Sequence, residues 1–525
     1  MIYFTQTVNV VGSGALTTHI TTVLGSPTDG VWFTQVLAIL TAILSIPVTQ
    51  AADFWGRKIF LVILTTCGCI GSSVVARANG IGAAIAGFAI TGLSFGAQPL
   101  LHAVSSEILA RKHRSFAQAS VNVASALGAI LGLVVGGALT RTSDAGFRVY
   151  WGIVAGIYAV TAIICQLFYN PPPRELQFEL TWKEKIRRLD WIGYSILAPA
   201  LVLFCMALSW SQNPYQWTNT HVLVPFIVGV VLVIVLVIYE TIVRKDAMFL
   251  HDLFRHRNFP IALGCVFAEG IVFFCGNNYF AYEVSVLFFT DSLITGVHYA
   301  VAFIAFAISS LLTALWSSKI KKVRIPCVTA YGTFVIFNIL MATVSPSVSE
   351  AQIWVYPLFL GTGLGMCLTT LMTAAQFATP RELIAITSGL MISVRSLGGA
   401  VGLAVYNAIF SSRFASNLPR DVADAVLPLN FPESRLPQLI QALIAGDNVA
   451  LSNITGANSN IISAAGEGLR QAKVLSFRYV WVSAGFFSLA AAIGESASLT
   501  LLPSHICLKW CTSRIFLTSR EVTNG

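Results

Sequence analysis

Charge is scarce in this sequence: Asp, Glu, Lys and Arg make up 10% of 525 residues. That is too little to hydrate the surface of a soluble protein of such length. There is no H-E-x-x-H and no G-x-x-x-x-G-K-[ST] segment, and no helix-length stretch gathers His with Asp. Zinc hydrolysis and ATP-driven pumping therefore lack their usual groups, and a membrane-embedded enzyme is only a distant alternative. The loops are too short for a folded soluble domain, so a receptor or scaffold has no module to stand on. A cleavable signal with a basic front end is also missing. The chain opens at Met1 already inside an apolar segment, and a start clipped ahead of the first span is one expectation. Of ten cysteines, eight fall in apolar runs and only Cys507 and Cys511 lie outside them. No extracellular disulfide framework is visible, and the eight read as small hydrophobes.

Hydrophobic residues, by contrast, make up 56% of the chain, and the mean hydropathy is +0.75. Apolar runs recur from end to end, each near the roughly 20 residues a helix needs to cross the hydrocarbon core. The lipid bilayer is the first partner this implies. The net charge of +9 sits in short loops between the runs, where the positive-inside rule explains it better than nucleic acid does.

The expected fold is all-α, with fourteen spans near 2–20, 31–50, 59–76, 80–101, 116–139, 149–170, 191–210, 219–239, 259–281, 296–316, 326–344, 353–373, 386–410 and 477–502. Most Lys and Arg then lie on one side, which places both termini in the cytosol. The sequon Asn453-Ile454-Thr455 falls in the long outer loop 411–476, making Asn453 a glycosylation candidate. In that loop Leu436, Leu439, Ile440, Leu443 and Ile444 follow helical spacing and predict a short amphipathic helix, packed on the protein or lying on the bilayer.

The spans divide into six, two and six. A basic loop follows the second span at Asp53–Lys58, and another follows the tenth at Ser318–Lys322, the second span of the later group. A duplicated six-helix bundle would place them so. The expected units are 1–170, an inserted two-helix segment 171–258, a second bundle 259–502 that includes the outer loop, and a cytosolic tail 503–525. In that tail His505, Cys507 and Cys511 fall short of the four ligands a metal site needs.

Asp53, Gly56, Arg57 and Lys58 combine a carboxylate at a helix end, a glycine for a tight turn and two cations. Together they make a charge latch able to pair with neighbouring helix ends and release. Gly128, Gly132, Gly136 and Gly137 in GAILGLVVGG form a groove of small residues that lets another helix approach. Glu269 and Arg395 lie near the middle of apolar runs, where a charge costs about 2.5–3.5 kcal/mol even on the milder insertion scale. Such residues face a cavity or a partner, and Glu269 is the candidate proton-coupling site. His102, and more weakly His298, are candidates near span ends. Asn277 and Asn278 offer amides either to an oxygen-rich substrate or to a neighbouring helix.

Thr49 to Lys58 resembles the major facilitator signature G-x-x-x-D-R-x-G-R-R, with Thr49 in place of the first glycine and Phe54 in place of the first arginine. The glycine-rich fifth span resembles the antiporter motif of that superfamily, with Leu133 where a proline is usual, and it reads equally well as plain helix packing. Ala97–Leu109, Leu189–Gly193, Asn277–Leu287 and Ser388–Gly402 look like the fungal trichothecene efflux pump branch of the fourteen-span drug:proton antiporters. The resemblance implies secondary active export of toxins, drugs or other small amphipathic metabolites by alternating access. The energy source would be a proton gradient, with no cofactor and no metal, and the location the plasma membrane or else the vacuolar membrane. Many relatives carry an arginine in the fourth span, where this chain has Phe88-Ala89-Ile90-Thr91, so proton coupling would run elsewhere. A ferric-siderophore transporter is the runner-up.

Overall fold

The computed structural model describes residues 1–498, other than 26–28, 111–112, 173–176, 178–180, 212–214, 244–253, 255–257, 289–290, 321–323, 346–347, 378, 380–382, 446–450, 452–453 and 455. Asn453 and the tail residues His505, Cys507 and Cys511 lie outside them. The described residues are almost wholly helical and contain no strand. Thirteen of the described helices are long and apolar enough to cross a membrane.

The first group comprises α1 (Ile2–Ala15), α2 (Thr17–Leu24), α3 (Val31–Trp55), α4 (Arg57–Ala76), α5 (Ile81–Phe95), α6 (Gln98–Ile108), α7 (Arg114–Thr140) and α8 (Gly146–Phe168). A short α9 (Trp182–Arg188) leads to α10 (Trp191–Trp210) and α11 (Thr220–Ile238). The second group comprises α12 (Asn258–Cys275), α13 (Ala281–Phe288), α14 (Ser292–Ile320), α15 (Arg324–Ala342), α16 (Tyr356–Phe377), α17 (Ile384–Val426), α18 (Leu436–Ala445) and α19 (Ser459–Ser498).

The expected first span is not one helix but is divided at Leu16 into α1 and α2. Around the break Ser13, Thr17, Thr21 and Thr22 bond their hydroxyls back to carbonyls three or four residues earlier, a competition that weakens the helix locally. Three helix starts around the inserted pair are capped by side chains. Asp190 accepts the Gly193 N–H at 3.2 Å ahead of α10, and Asn219 accepts the His221 N–H at 2.9 Å ahead of α11. At α9, Glu184 accepts both the N–H and the hydroxyl of Thr181 at 2.8 Å, and these bonds hold its carboxyl below the ordinary range.

Within the first group α4 packs on α5 and α8, and α1 packs on α7. Within the second, α17 packs on α12 and α19, while α15 and α14 flank α16. The two longest contacts between the groups run α7 along α14 and α3 along α17, with smaller ones of α17 on α6 and α16 on α7. The pair α10 and α11 packs chiefly on itself, with α10 touching α17 and α3.

Residues 411–476 are not a loop. α17 runs unbroken for 43 residues, the chain turns at Asn430 in the left-handed region (φ 62°), and α19 is already helical at Ser459. Leu418, Val422 and Val426 recur every fourth residue and close a second small core with Phe431, Leu439 and Ala465. The expected amphipathic helix is α18, and it packs on the protein: Leu436, Leu439 and Leu443 are buried in that core, Ile440 is partly covered, and Ile444 is exposed.

Candidate functional site

Where the two groups meet, the described residues line a narrow central cavity. The first group lines it with Tyr3, Gln6, Thr7 and Val10 on α1, Leu37 and Thr41 on α3, Phe95 on α5, Gln98 on α6 and Ser125 on α7. The second group contributes Phe273 and Phe274 on α12, Phe303 and Phe306 on α14, Leu364 and Leu368 on α16, and Arg395 and Ser396 on α17.

Arg395 does not stand alone in the wall. Its Nε donates to Glu269 Oε2 at 2.6 Å and its Nη2 to Oε1 at 2.9 Å, and the guanidinium lies over the Phe273 ring at 4.7 Å. Both residues are buried, and a forked, fully paired arrangement is what makes two charges tolerable in such a place. Glycines bring the two helices close enough: a Cβ on Gly270 would run into the Arg395 carbonyl, and one on Gly398 into that of Phe267.

Each end of the cavity carries hydrogen bonds between the groups. At the end of the basic loops Gln376 is the centre. Its Oε1 accepts from Ser106 at 2.6 Å and Gln118 at 3.2 Å, its carbonyl accepts from Arg114 at 3.1 Å, and its Nε2 donates to Ser388 at 3.0 Å. His102 joins through Gln118, whose Oε1 is 2.6 Å from His102 Nδ1. Because Gln118 Nε2 donates elsewhere, the ring proton of His102 sits on Nδ1. His102 also meets the cavity residue Tyr3 edge to face.

At the opposite end Arg141 on the first group pairs with Asp291 before α14 at 2.8 Å. His19 holds Asp144 at 2.6 Å through Nδ1 and reaches Ser292 at 2.9 Å through Nε2. That order of groups matches a hydrolytic triad. However, Asp291 already takes the N–H groups of Leu293 and Ile294, which would otherwise be the nearest oxyanion donors. Asn277, in the π-helical turn Gly276–Phe280, donates to the Val10 carbonyl on α1 at 3.3 Å. Asn278 bonds only its own helix, at Phe274 O. Neither asparagine lines the cavity. His298 lies tilted against Trp354 with Glu350 4.0 Å away, also off the cavity.

Of the four residues expected to form a latch, Asp53 and Arg57 lie side by side across Gly56, and Glu107 joins them. Gly56 takes φ 98°, a conformation side chains resist, and this turns Asp53 at the end of α3 towards Arg57 at the start of α4. Arg57 donates to Asp53 at 3.4 Å and forks onto Glu107 of α6 through both terminal nitrogens, one of them at 2.7 Å from Oε1. Lys58 stands apart and reaches Asn170 at 2.6 Å. Of the glycine row, Gly128, Gly132 and Gly136 face α1 or Leu16 after it, while Gly137 faces Ser292 and Leu293 of the other group.

Several residues escape the sequence reading. Gln376 is uncharged, and Glu107 lies close to a span end, so neither carries an unusual local pattern. Glu283 and Glu495 did carry the signal that picked out Glu269, a carboxylate within an apolar run. The first accepts the Trp481 indole N–H at 2.5 Å, and the second lies 2.6 Å from the Cys265 sulfur.

This fold, with a cavity closed between two helical groups, defines a polytopic membrane transporter. The Major Facilitator Superfamily profile matches residues 1–403, and the chain belongs to that superfamily. Among known proteins it is similar to the MFS-type transporter ucsD of Acremonium sp, 23% identical over 75% of this chain and 67% of that one. It is also similar to the MFS-type efflux transporters ffsH of Aspergillus flavipes (26%, over 70% and 64%) and pyiT of Pyricularia grisea (26%, over 74% and 64%). The chain thus spans about two thirds of the length of these relatives. In fold it is similar to a bacterial homologue of the human lysosomal transporter Spinster, inward-facing and unoccupied, with TM-score 0.58 at 14% identity over 96% of this chain and 97% of that one. The peptide transporter POT in complex with sulfate gives TM-score 0.55 at 14% identity, over 94% of each.

Proposed function

We propose that the chain is a proton-coupled exporter of small amphipathic molecules such as toxins, drugs or other secondary metabolites. It works by alternating access of two six-helix bundles (1–170 and 259–502) flanking an inserted segment (171–258). Fungal relatives named as efflux transporters support the direction, and the charge bias of the loops supports cytosolic termini in a plasma or vacuolar membrane.

The observation that carries the proposal is the Glu269–Arg395 pair in the cavity wall. While Glu269 is ionised the pair is neutral as a unit, and the cavity can stay closed and dry. A proton on Glu269 leaves the guanidinium charge unmatched in a low-dielectric site, and water is then the cheapest way to solvate it. Protonation therefore favours a state opened to solvent, and deprotonation favours closure. Proton entry from the acidic side and release on the other turn that preference into a cycle.

The test is uptake into inside-out vesicles with and without a pH gradient across a panel of amphipathic compounds. Uptake that ignores the gradient for every compound exported in cells would remove the proton-coupled reading.

A further inference from the structure

The two bundles line the cavity unequally, the first with more polar groups and the second with more aromatic rings. The first bundle supplies both amides and most of the hydroxyls, beside Val10, Leu37 and Phe95; the second supplies four of the five phenylalanine rings and two leucines, beside Arg395 and Ser396. Most of these polar groups already have partners: Thr7 and Ser125 share a hydrogen bond at 2.9 Å, and Thr41 bonds the Leu37 carbonyl at 2.6 Å.

Gln6 is different. It is fully buried and lines the cavity, and its Nε2 donates to the Ser94 carbonyl at 2.7 Å. A carbonyl can only accept, so the amide's orientation is fixed and its oxygen faces away from Ser94. That oxygen finds no donor among the described residues. Asn9, Gln35, Asn277 and Asn338 also leave an amide oxygen unmatched, but none of them lines the cavity. An acceptor buried without a donor is costly, and a donor on the cargo would relieve it. Charge is settled as well: Arg395 is the one charged side chain among the described lining residues, and Glu269 balances it.

From this we propose that the cavity selects neutral molecules with a flat apolar body and a hydroxyl or N–H donor on one edge, and that Gln6 reads the donor. The rings of the second bundle take the flat face, since aromatic faces and edges pack best against planar bodies. Because Gln6 and most of the rings ride on different bundles, cargo touches both only while the bundles are together. This inference rests on the transporter reading above and names its cargo.

The experiment measures binding of 2-(hydroxymethyl)anthracene, its methyl ether and anthracene-2-carboxylate to the purified full chain by fluorescence, alongside vesicle uptake of each. The alcohol should bind about tenfold more tightly than the ether, the worth of one hydrogen bond to an otherwise unmatched group, and more tightly than the carboxylate. Gln6→Met should erase the alcohol's advantage and leave the ether's affinity within about twofold, which also shows that the variant folds. Equal binding of alcohol and ether by the unaltered protein, tighter binding of the carboxylate, or an undiminished preference in Gln6→Met would each overturn the proposal. If the binding pattern holds but no pH-driven uptake accompanies it, the exporter reading fails and the site stands.

Discussion

Arg395 and Glu269, 126 positions apart in the chain, form one forked unit across the contact of α12 with α17, at 2.6 and 2.9 Å. The carboxylate keeps no oxygen free of the guanidinium, so anything that protonates or removes one partner changes the condition of the other.

Glu269→Gln keeps the side chain's shape and cannot ionise. It should retain exchange of substrate for substrate and lose accumulation driven by a pH gradient. Intact gradient-driven uptake in the Gln variant would eliminate Glu269 as the coupling group, whereas loss of both activities would point to binding or folding.

Arg395→Met strands a buried carboxylate and should lower stability by about 3–5 kcal/mol. Adding Glu269→Leu removes the stranded charge, and the double variant should recover most of that loss while remaining inactive in pH-driven transport. Thermal unfolding of the detergent-solubilised proteins checks the order: Arg395→Met lowest, the double variant well above it.

At the latch, Arg57→Ala, Asp53→Asn and Glu107→Gln should each cut transport by about tenfold or more while the protein still reaches its membrane. A change of about 1.4 kcal/mol in the balance between open states suffices for that. Gly56→Ala should act through strain of about 1–3 kcal/mol, because its backbone stands at φ 98°. Surface quantitation with transport rates separates the two effects; unchanged rates in the first three would leave these charges as topology signals only.

Gly128→Ala and Gly137→Ala change the same kind of residue with different consequences. A Cβ at 128 meets the Phe4 carbonyl inside one bundle, so it should lower stability without favouring either open state. A Cβ at 137 meets Ser292 and Leu293 across the interface, 2.7 Å from the nearest atoms, and should loosen the end held by Arg141 and Asp291. Thiol labelling of Ser292→Cys, faster in the 137 variant and unchanged in the 128 variant, checks the distinction.

Reporters placed after Lys58, His113, Arg188 and Lys322 should read cytosolic, and one near Asn453 should read outside. A cytosolic reading at Asn453 would reverse the orientation inferred from charge.

Hydropathy made the membrane helices legible because lipid-facing and core-facing positions are both apolar, so each span announces itself without regard to its neighbours. It failed at 411–476, where Arg413, Arg420, Asp421 and Asp424 interrupt the apolar run although the backbone stays helical to Val426. Burial of Glu269 and Arg395 was readable as two isolated anomalies, but not their pairing, which depends on the register of α12 against α17. Gly136 and Gly137 illustrate the same limit. One step along a helix turns a residue by about 100°, so adjacent glycines in one motif serve different partners. Gln376 carries no charge and no special spacing, and only the docking of α16 against α6 and α7 makes it a hub.

The helix α10 is fastened at both ends, but to different bodies. Near its start the Tyr194 hydroxyl donates to Gln50 of α3, and at its far end the Ser209 carbonyl accepts from Asn407 of α17 at 3.0 Å. A rigid rod pinned to two parts cannot follow both when they shift past each other. Any rocking of one bundle against the other must therefore release or stretch at least one pin. If the bundles rock as proposed, the inserted pair would act as a tie bar between them, and the strength of two hydrogen bonds outside the cavity would enter the energy of each turnover.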